Sequence, residues 1–317
     1  MDRLSGWCKS KRKLKGHTVI VTGSNSGIGK ETALDLYSRG ARVIMACRDV
    51  NKAEIVKQEI EKEVGNTDGT LIVEKLDLSS LTSVREFAER LLARETRVHL
   101  LINNAGVFIP RQKKTEDGFE AHMGTNHFGH ALLTLLLLPR IIKSAPSRIV
   151  FVSSTIYRLT KLNLDKPEKH RNPRNSFMDY ARSKTANVLF AKALAMKLKD
   201  YGIHDVTTYS LHPGTVSTNI ARNHVDRSSG IFKSWLTNKA LLFFLKSPKC
   251  GAQTTIYCAV EETCANESGL YYSDCAVKKT WKYCRREAVI EKFWEFTISE
   301  LGLEGYNPFT SKKNLLL

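Results

Sequence analysis

Thr22-Gly23-Ser24-Asn25-Ser26-Gly27-Ile28-Gly29 stands between an apolar run, His17–Thr22, and a helical pattern over Gly27–Ser38. Strand, glycine-rich turn and helix in this order can cradle a pyrophosphate. One glycine permits a tight, positive-φ path, another lets the backbone approach the phosphates, and a third lets the helix pack close to the strand. The phosphates then lie at the helix N-terminus, where unpaired N–H groups and the macrodipole favour anions. The spacing is G-x-x-x-G-x-G rather than G-x-G-x-x-G, and such a turn alone is a weak signal. Its place after the first strand gives it weight. Gly23, Ser24, Asn25, Ser26, Gly27, Ile28 and Gly29 are therefore the candidate cofactor cradle.

Outward from this turn, short β-branched runs alternate with longer helical patterns, the signature of a parallel sheet covered by helices. Further strands are predicted over Ala41–Ala46, Leu71–Leu76, Val98–Ile102, Arg148–Ser153, Val206–Leu211 and Gly269–Tyr272. Between and after them, helices are predicted over Val50–Val64, Leu81–Ala93, Phe119–Ile142, Met178–Lys199, Lys249–Val260 and Ala288–Leu301. The expected fold is one doubly wound, Rossmann-type α/β domain over residues 16–317, with a mostly parallel sheet, helices on both faces and ligands at the carboxyl ends of the strands.

Size and composition agree with that. A chain of 317 residues with 42% hydrophobic and 26% charged residues has the material for a large core and is not wholesale disordered. Its longest apolar runs, Ala131–Leu138 and Ala240–Leu245, fall far short of a membrane span. The net charge is +17, and residues 1–15 carry six basic side chains against Asp2 alone. This basic tail reads either as solvated or as attracted to an anionic membrane surface. Nothing that reads or stacks on bases follows, so nucleic acid is not the expected partner. Seven cysteines without C-x-x-C spacing give neither a disulfide framework nor a zinc ribbon and point to a reducing compartment. Met1–Lys15 has no hydrophobic stretch of the kind a signal peptide needs, and Asn266-Glu267-Ser268 is taken as a chance sequon. A cytoplasmic protein is expected, peripheral at most on a cytosol-facing membrane such as endoplasmic reticulum or lipid droplet.

The second strand runs out in Ala46-Cys47-Arg48-Asp49. An NAD site places a carboxylate at this strand end for the ribose hydroxyls. Here a guanidinium follows instead, and its planar fork suits a 2′-phosphate, with Lys52 in support. NADP(H) is the expected cofactor, against the alternative that Arg48 is an ordinary loop residue. Asp77-Leu78 after the third strand is placed to meet the adenine edge, and Asn103-Asn104-Ala105-Gly106 after the fourth brings amides and small residues to the same rim.

Tyr180 and Lys184 are four apart and share one helix face. A phenol near its ordinary pKa of ~10 is a poor acid–base group at neutral pH. A lysine cation one turn away favours the phenolate. Ser154 ends the fifth strand and offers a hydroxyl to a substrate carbonyl; Asn126, in the long helix, is placed to order a water near the lysine. A Tyr-x-x-x-Lys pair alone is common. With the glycine turn, the Asn-Asn-Ala-Gly stretch and the strand-end serine in this order, it is not an accident.

On these motifs the chain resembles the short-chain dehydrogenase/reductase superfamily from about Lys15 to Leu301. Within it, the chain looks like the retinol dehydrogenase group, through Ala46–Asp49, Lys184–Phe190, His212-Pro213-Gly214, Gly251–Thr254, Gly269–Cys275 and the wide gap from Ser154 to Tyr180. The resemblance implies a tetrad of Asn126, Ser154, Tyr180 and Lys184. Tyr180 would exchange the proton with the substrate oxygen, and Ser154 would hold that oxygen. Lys184 would bind the nicotinamide ribose and lower the tyrosine pKa, and Asn126 would maintain the proton relay. Pro213 and Gly214 join the cofactor site. The implied reaction interconverts a hydrophobic alcohol and its aldehyde or ketone, retinol/retinal or a similar lipid carbonyl. The alternatives are a reductase of non-retinoid carbonyls, or a cofactor-binding scaffold without turnover, which the intact tetrad disfavours. Members of this group commonly begin with a hydrophobic anchor, whereas Met1–Lys15 is polar and basic.

His122, His127 and His130 with Glu120 suggest a metal only weakly, because the tetrad uses the same region. The apolar, lysine-punctuated stretch Ile231–Leu245 reads as a flap over a lipid substrate, or else as a core helix or homodimer interface.

Overall fold

Eight strands form one sheet in the order β3-β2-β1-β4-β5-β6-β7-β8. In chain order they are β1 (Thr18–Thr22), β2 (Arg42–Cys47), β3 (Thr70–Lys75), β4 (Leu100–Asn103), β5 (Ser147–Val152), β6 (Val206–His212), β7 (Leu270–Ser273) and β8 (Ala276–Val277). All neighbours are parallel except the short hairpin partner β8, which sequence reading missed because two exposed residues carry no periodicity. The computed structural model describes residue 2 and residues 5–109, 113–165, 175–216 and 245–310.

The helices are α1 (Gly27–Ser38), α2 (Val50–Val64), α3 (Leu81–Arg94), α4 (Gly129–Lys143), α5 (Ser176–Asp200), α6 (Pro248–Val260) and α7 (Glu287–Glu300). They cover both faces, and each face has its own apolar core. One core joins α3, α4, α5 and α7 against residues such as Ile20, Leu101 and Phe151. The other joins α1, α2 and α6 against Val19, Val21, Ile102 and Val150. Alternate strand residues thus serve opposite faces, and strands buried on both sides read as continuous apolar runs. The order of winding reverses between β1 and β4, which opens a crevice at their carboxyl ends.

The expected long helix over Phe119–Ile142 is interrupted. Met123–Phe128 winds as a π-helical turn before α4 begins. Such wide turns are uncommon and concentrate at functional sites. Hydrophobic periodicity cannot distinguish one from an ordinary helix, and all six residues are buried.

Residues 5–15, expected as a basic tail, lie along the domain. Arg39 donates to the carbonyls of Ser10 (2.9 Å) and Arg12 (3.0 Å), Cys8 N–H donates to Gln253 (3.2 Å), and Leu14 is buried. Lys9, Lys11, Lys13 and Lys15 are exposed while Cys8, Ser10, Arg12 and Leu14 turn inward. The alternation is that of extended chain, with one face packed and one cationic.

Candidate active site

The loops after β1 and β4 meet at the crevice and are tied together by Thr22 and Asn104. Thr22 Oγ accepts the backbone N–H groups of Asn104 (3.0 Å) and Ala105 (2.9 Å), and Asn104 Nδ2 donates to the Thr22 carbonyl (2.8 Å). Gly23 and Gly27 adopt positive φ, 65° and 55°. A Cβ on Gly29 would lie 2.4 Å from the Gly23 carbonyl oxygen and 2.5 Å from Asn104 Nδ2. No side chain but hydrogen fits there. Ser26 occupies the N-cap of α1 without bonding it through its side chain, so the first N–H groups of the helix are left for another acceptor. Asn25, Ser26 and Ile28 are partly exposed at the turn. Ser24, in the candidate cradle, has a buried side chain that donates to the Val21 carbonyl (3.1 Å). Its side chain fastens the turn from behind.

At the end of β2, Arg48 is exposed, and the Asp49 carboxylate is committed as the N-cap of α2, accepting from Lys52 N–H at 3.0 Å. Lys75 pairs with Cys47 across β2 and β3 and donates its Nζ to the Arg48 carbonyl at 2.7 Å. Two cations therefore stand at this strand end. Lys75 was missed because its neighbour is 27 residues away and only sheet register brings them together. Asp77 closes its own turn by accepting from Ser79 N–H (3.0 Å) and Oγ (2.6 Å), and Leu78 is a core side chain whose backbone supports α4 at Gly129.

Deeper in the crevice, α5 carries Tyr180 and Lys184, and its Asn175 N-cap fixes where the helix starts. Lys184 Nζ lies 5.4 Å from the Tyr180 ring centroid and donates to the Val152 carbonyl (3.1 Å). Ser153 Oγ in turn donates to the Lys184 carbonyl (2.7 Å), so the end of β5 is pinned to α5 beside the lysine. Ser154 follows, partly exposed, and does not spend its hydroxyl on capping the turn at Thr155–Leu159. Asn126 lies in the π-turn. Its side chain accepts from Val107 N–H (2.8 Å) and donates to the Val107 carbonyl and Ser183 Oγ (both 3.0 Å). Gly106 is the floor above them. A Cβ there would sit 3.3 Å from Lys184 Nζ and 3.7 Å from Asn126 Oδ1.

Burial pushes the Tyr180 phenol up to about 12 and the Lys184 ammonium down to about 8. The expected lowering of the tyrosine by its lysine is thus not what the protein alone produces. Withdrawal from water outweighs a cation that points to a backbone carbonyl. Two neighbours of Tyr180 also escaped sequence reading: the rings of Phe108 and His122 meet it edge-on, with centroids 5.5 and 6.0 Å away. His122 is held by the Glu120 carboxylate (2.7 Å) and accepts from Ile109 N–H (2.9 Å), which fixes the strap carrying Phe108. His127 sits instead among Phe128, Phe190 and Phe293, and among the described residues no three metal-type ligands converge.

Pro213 is buried and Gly214 has φ 91°, with Lys246 packed where a Cβ would stand. Of the expected flap Ile231–Leu245, all but Leu245 lies outside the described residues.

Residues 17–228 of this chain match a family model described as short chain dehydrogenase. The chain belongs to the short-chain dehydrogenases. As a short-chain dehydrogenase it is an oxidoreductase, and its resemblance to the retinol dehydrogenases is borne out. It is 45% identical over 299 residues to retinol dehydrogenase 11 of Homo sapiens, covering 94% of this chain and 90% of that protein. Identity to retinol dehydrogenase 12 of Homo sapiens is 43% over 300 residues, with the same coverage. Among solved structures, an uncharacterised protein from Mycobacterium paratuberculosis superposes with a TM-score of 0.73 at 28% identity, covering 94% of this chain and 98% of that one. A short-chain dehydrogenase from Shigella flexneri complexed with NADP shares the fold, with a TM-score of 0.63, 21% identity and coverage of 84% and 100%. Among the described residues, no helix of this short-chain dehydrogenase is long and apolar enough to cross a membrane.

Proposed function

We propose that this short-chain dehydrogenase interconverts a hydrophobic alcohol and its aldehyde or ketone with NADP(H), retinol/retinal or a similar lipid carbonyl being the substrate class. The observation that carries the reading is Tyr180 and Lys184 on one face of α5, with Asn126 and the Cβ-free Gly106 beside the lysine. The cofactor reading is supported by the cradle around Gly29 and the uncapped α1 N-terminus, which fit a pyrophosphate. Arg48 and Lys75 at the end of β2, with Asp49 committed elsewhere, fit a 2′-phosphate rather than a bare ribose. Bound NADP(H) supplies the hydride that is exchanged with the substrate carbon.

The protein's own part is proton transfer and orientation. In reduction, Tyr180 gives its phenolic proton to the substrate oxygen, which the Ser154 hydroxyl holds and polarises. A phenol kept protonated through neutral pH is already in the donor state for this direction. Lys184, whose ammonium donates to the Val152 carbonyl, binds the nicotinamide ribose and stabilises the phenolate that reduction leaves. Phe108 beside Tyr180 gives the reacting position an apolar wall suited to a lipid carbonyl. The names of the relatives 45% and 43% identical support retinal within that class.

The test is a panel of retinal, fatty aldehydes and steroid ketones with NADPH and NADH, followed by absorbance of the reduced cofactor. NADPH-preferring turnover of at least one lipid carbonyl is expected. No turnover of any would overturn the activity in favour of a cofactor-binding scaffold. A second element of the reading is salt-sensitive contact with an anionic, cytosol-facing membrane through the outward row Lys9, Lys11, Lys13 and Lys15. Flotation with anionic vesicles at low and high salt tests it, and equal recovery with neutral vesicles would overturn it.

A further inference from the structure

His130 is fully buried at the start of α4 and touches two parts of the site that sequence reading treated separately. Its Nδ1 is 3.0 Å from the main-chain carbonyl of Asn126, and its Nε2 is 2.9 Å from Thr22 Oγ. A carbonyl only accepts, so Nδ1 carries the hydrogen. Burial with Lys184 nearby lowers the imidazole to about 4, which keeps the ring neutral and leaves Nε2 as an acceptor. The Thr22 hydroxyl therefore donates to His130, in preference to the Ile102 carbonyl at 3.3 Å, and turns its lone pairs to the N–H groups of Asn104 and Ala105. Beyond Asn126 the chain of bonds continues through its Nδ2 to Ser183 Oγ, which donates to the Tyr180 carbonyl at 2.7 Å.

We propose that His130 is a positioning residue that makes the dinucleotide rim and the catalytic tetrad one hydrogen-bonded unit, linking Thr22 and the 104–106 loop to the Asn126 π-turn and, through Ser183, to α5. It touches no reacting atom. Its effect is that seating the 104–106 loop and seating Asn126 beneath Lys184 are not independent events. A neutral, doubly engaged ring has one orientation, whereas a hydroxyl or amide in its place can rotate. Without His130 the Thr22 proton falls to the Ile102 carbonyl, and the Asn126 carbonyl loses a donor in a buried setting.

For the catalytic readout the inference rests on the oxidoreductase reading above; for the binding readout it needs only NADPH. The test is a double-mutant cycle in the full chain with His130→Leu and Thr22→Val, measuring the NADPH dissociation constant by quenching of protein fluorescence, together with kcat, KM and the melting midpoint. Each single change is expected to weaken NADPH about tenfold, the usual scale for one buried hydrogen bond. The double variant is expected to be no weaker than the worse single, because the link is broken only once. Thr22→Ser, which retains the hydroxyl, is expected to recover most of what Thr22→Val loses. His130→Asn keeps a donor near the Nδ1 position. It is expected to lose NADPH affinity while keeping most of kcat, and it serves if His130→Leu does not fold. Losses that multiply in the double variant overturn the coupling. So does a lowered melting midpoint with the dissociation constant and kcat unchanged, which would make His130 a packing residue only. If the unmodified chain turns over no lipid carbonyl, the functional reading fails and the NADPH cycle still decides the link.

Discussion

The two halves of the crevice are built from different materials. Around Gly23–Gly29 the groups proposed to meet the cofactor are backbone N–H groups, a helix terminus and cations at strand ends, and neither Gly23 nor Gly29 has room for a Cβ. Around Tyr180 the groups are side chains, and each is held by others: Asn126 by Val107 and Ser183, Lys184 by Val152, the strap of Phe108 by His122. The first half tolerates exposure because charge and dipole act on a ligand that brings its own anions. The second needs burial, since desolvation moves a phenol and an ammonium away from their ordinary pKa values in opposite directions. A change in the first half should therefore show in binding, and a change in the second in turnover.

The sharpest way to break that division is Tyr180→Phe. Reduction is expected to fall by ~10²–10⁴-fold, the usual worth of a positioned general acid, with NADPH affinity unchanged. Single-turnover kinetics beside a fluorescence titration measures both, and retention of a tenth of turnover would remove Tyr180 from the acid–base role. The complementary change is Arg48→Ala. Loss of the proposed charge-assisted bonds, worth ~1.5–3 kcal/mol, is expected to weaken NADPH roughly ten- to a hundred-fold and to leave NADH as it was. Equal losses would make Arg48 structural. Lys75→Ala should act in the same direction with a smaller effect, since its Nζ already serves the Arg48 carbonyl.

Gly29→Ala tests the backbone character of the first half. Its Cβ would meet a carbonyl oxygen that cannot move without the turn, at a cost of about 1–3 kcal/mol in stability. Affinity for NADPH and NADH should fall together, and discrimination by cofactor would show that the turn contacts the 2′-phosphate. The smallest effect concerns pH. The folded chain holds Lys184 near 8, below the 10.5 of the free side chain, so between those values the unfolded chain binds the extra proton and stability rises with pH. Below about 8 the ammonium is charged in both states and its burial is unfavourable throughout. Lys184→Met is therefore expected to melt a few degrees higher than the unmodified chain at pH 7, with the gap closing by pH 10 and turnover lost at both. A gap that widens with pH would mean that the lysine is stabilised as a cation.

Most of the alternation of strands and helices was legible in the sequence because strands buried on two faces are unbroken apolar runs and the helices between them are long. Ranges shifted by one or two residues, as at Leu100–Asn103 and Leu270–Ser273. The Tyr180–Lys184 pair and the glycine turn were legible because the chemistry proposed for them restricts residue type. Lys75 and Phe108 were not, and His122 was read only as a weak metal candidate. Each is an ordinary residue in its own stretch and acquires meaning from a partner many positions away.

By itself, then, the sequence determined the doubly wound class, the glycine turn that follows β1, and the Tyr180–Lys184 pair, because local spacing on a strand, turn or helix suffices for each. Tertiary structure alone decided that Met123–Phe128 widens into a π-turn, and that Ser24 faces inward. It also decided that residues 5–15 pack as an extended strip, and that Thr22, His130 and Asn126 form one line of hydrogen bonds. The physical reason is the same in each case. These arrangements are chosen by where a buried polar group finds its partner, and that partner is set by how the sheet and helices close around it rather than by the neighbouring residues in the chain.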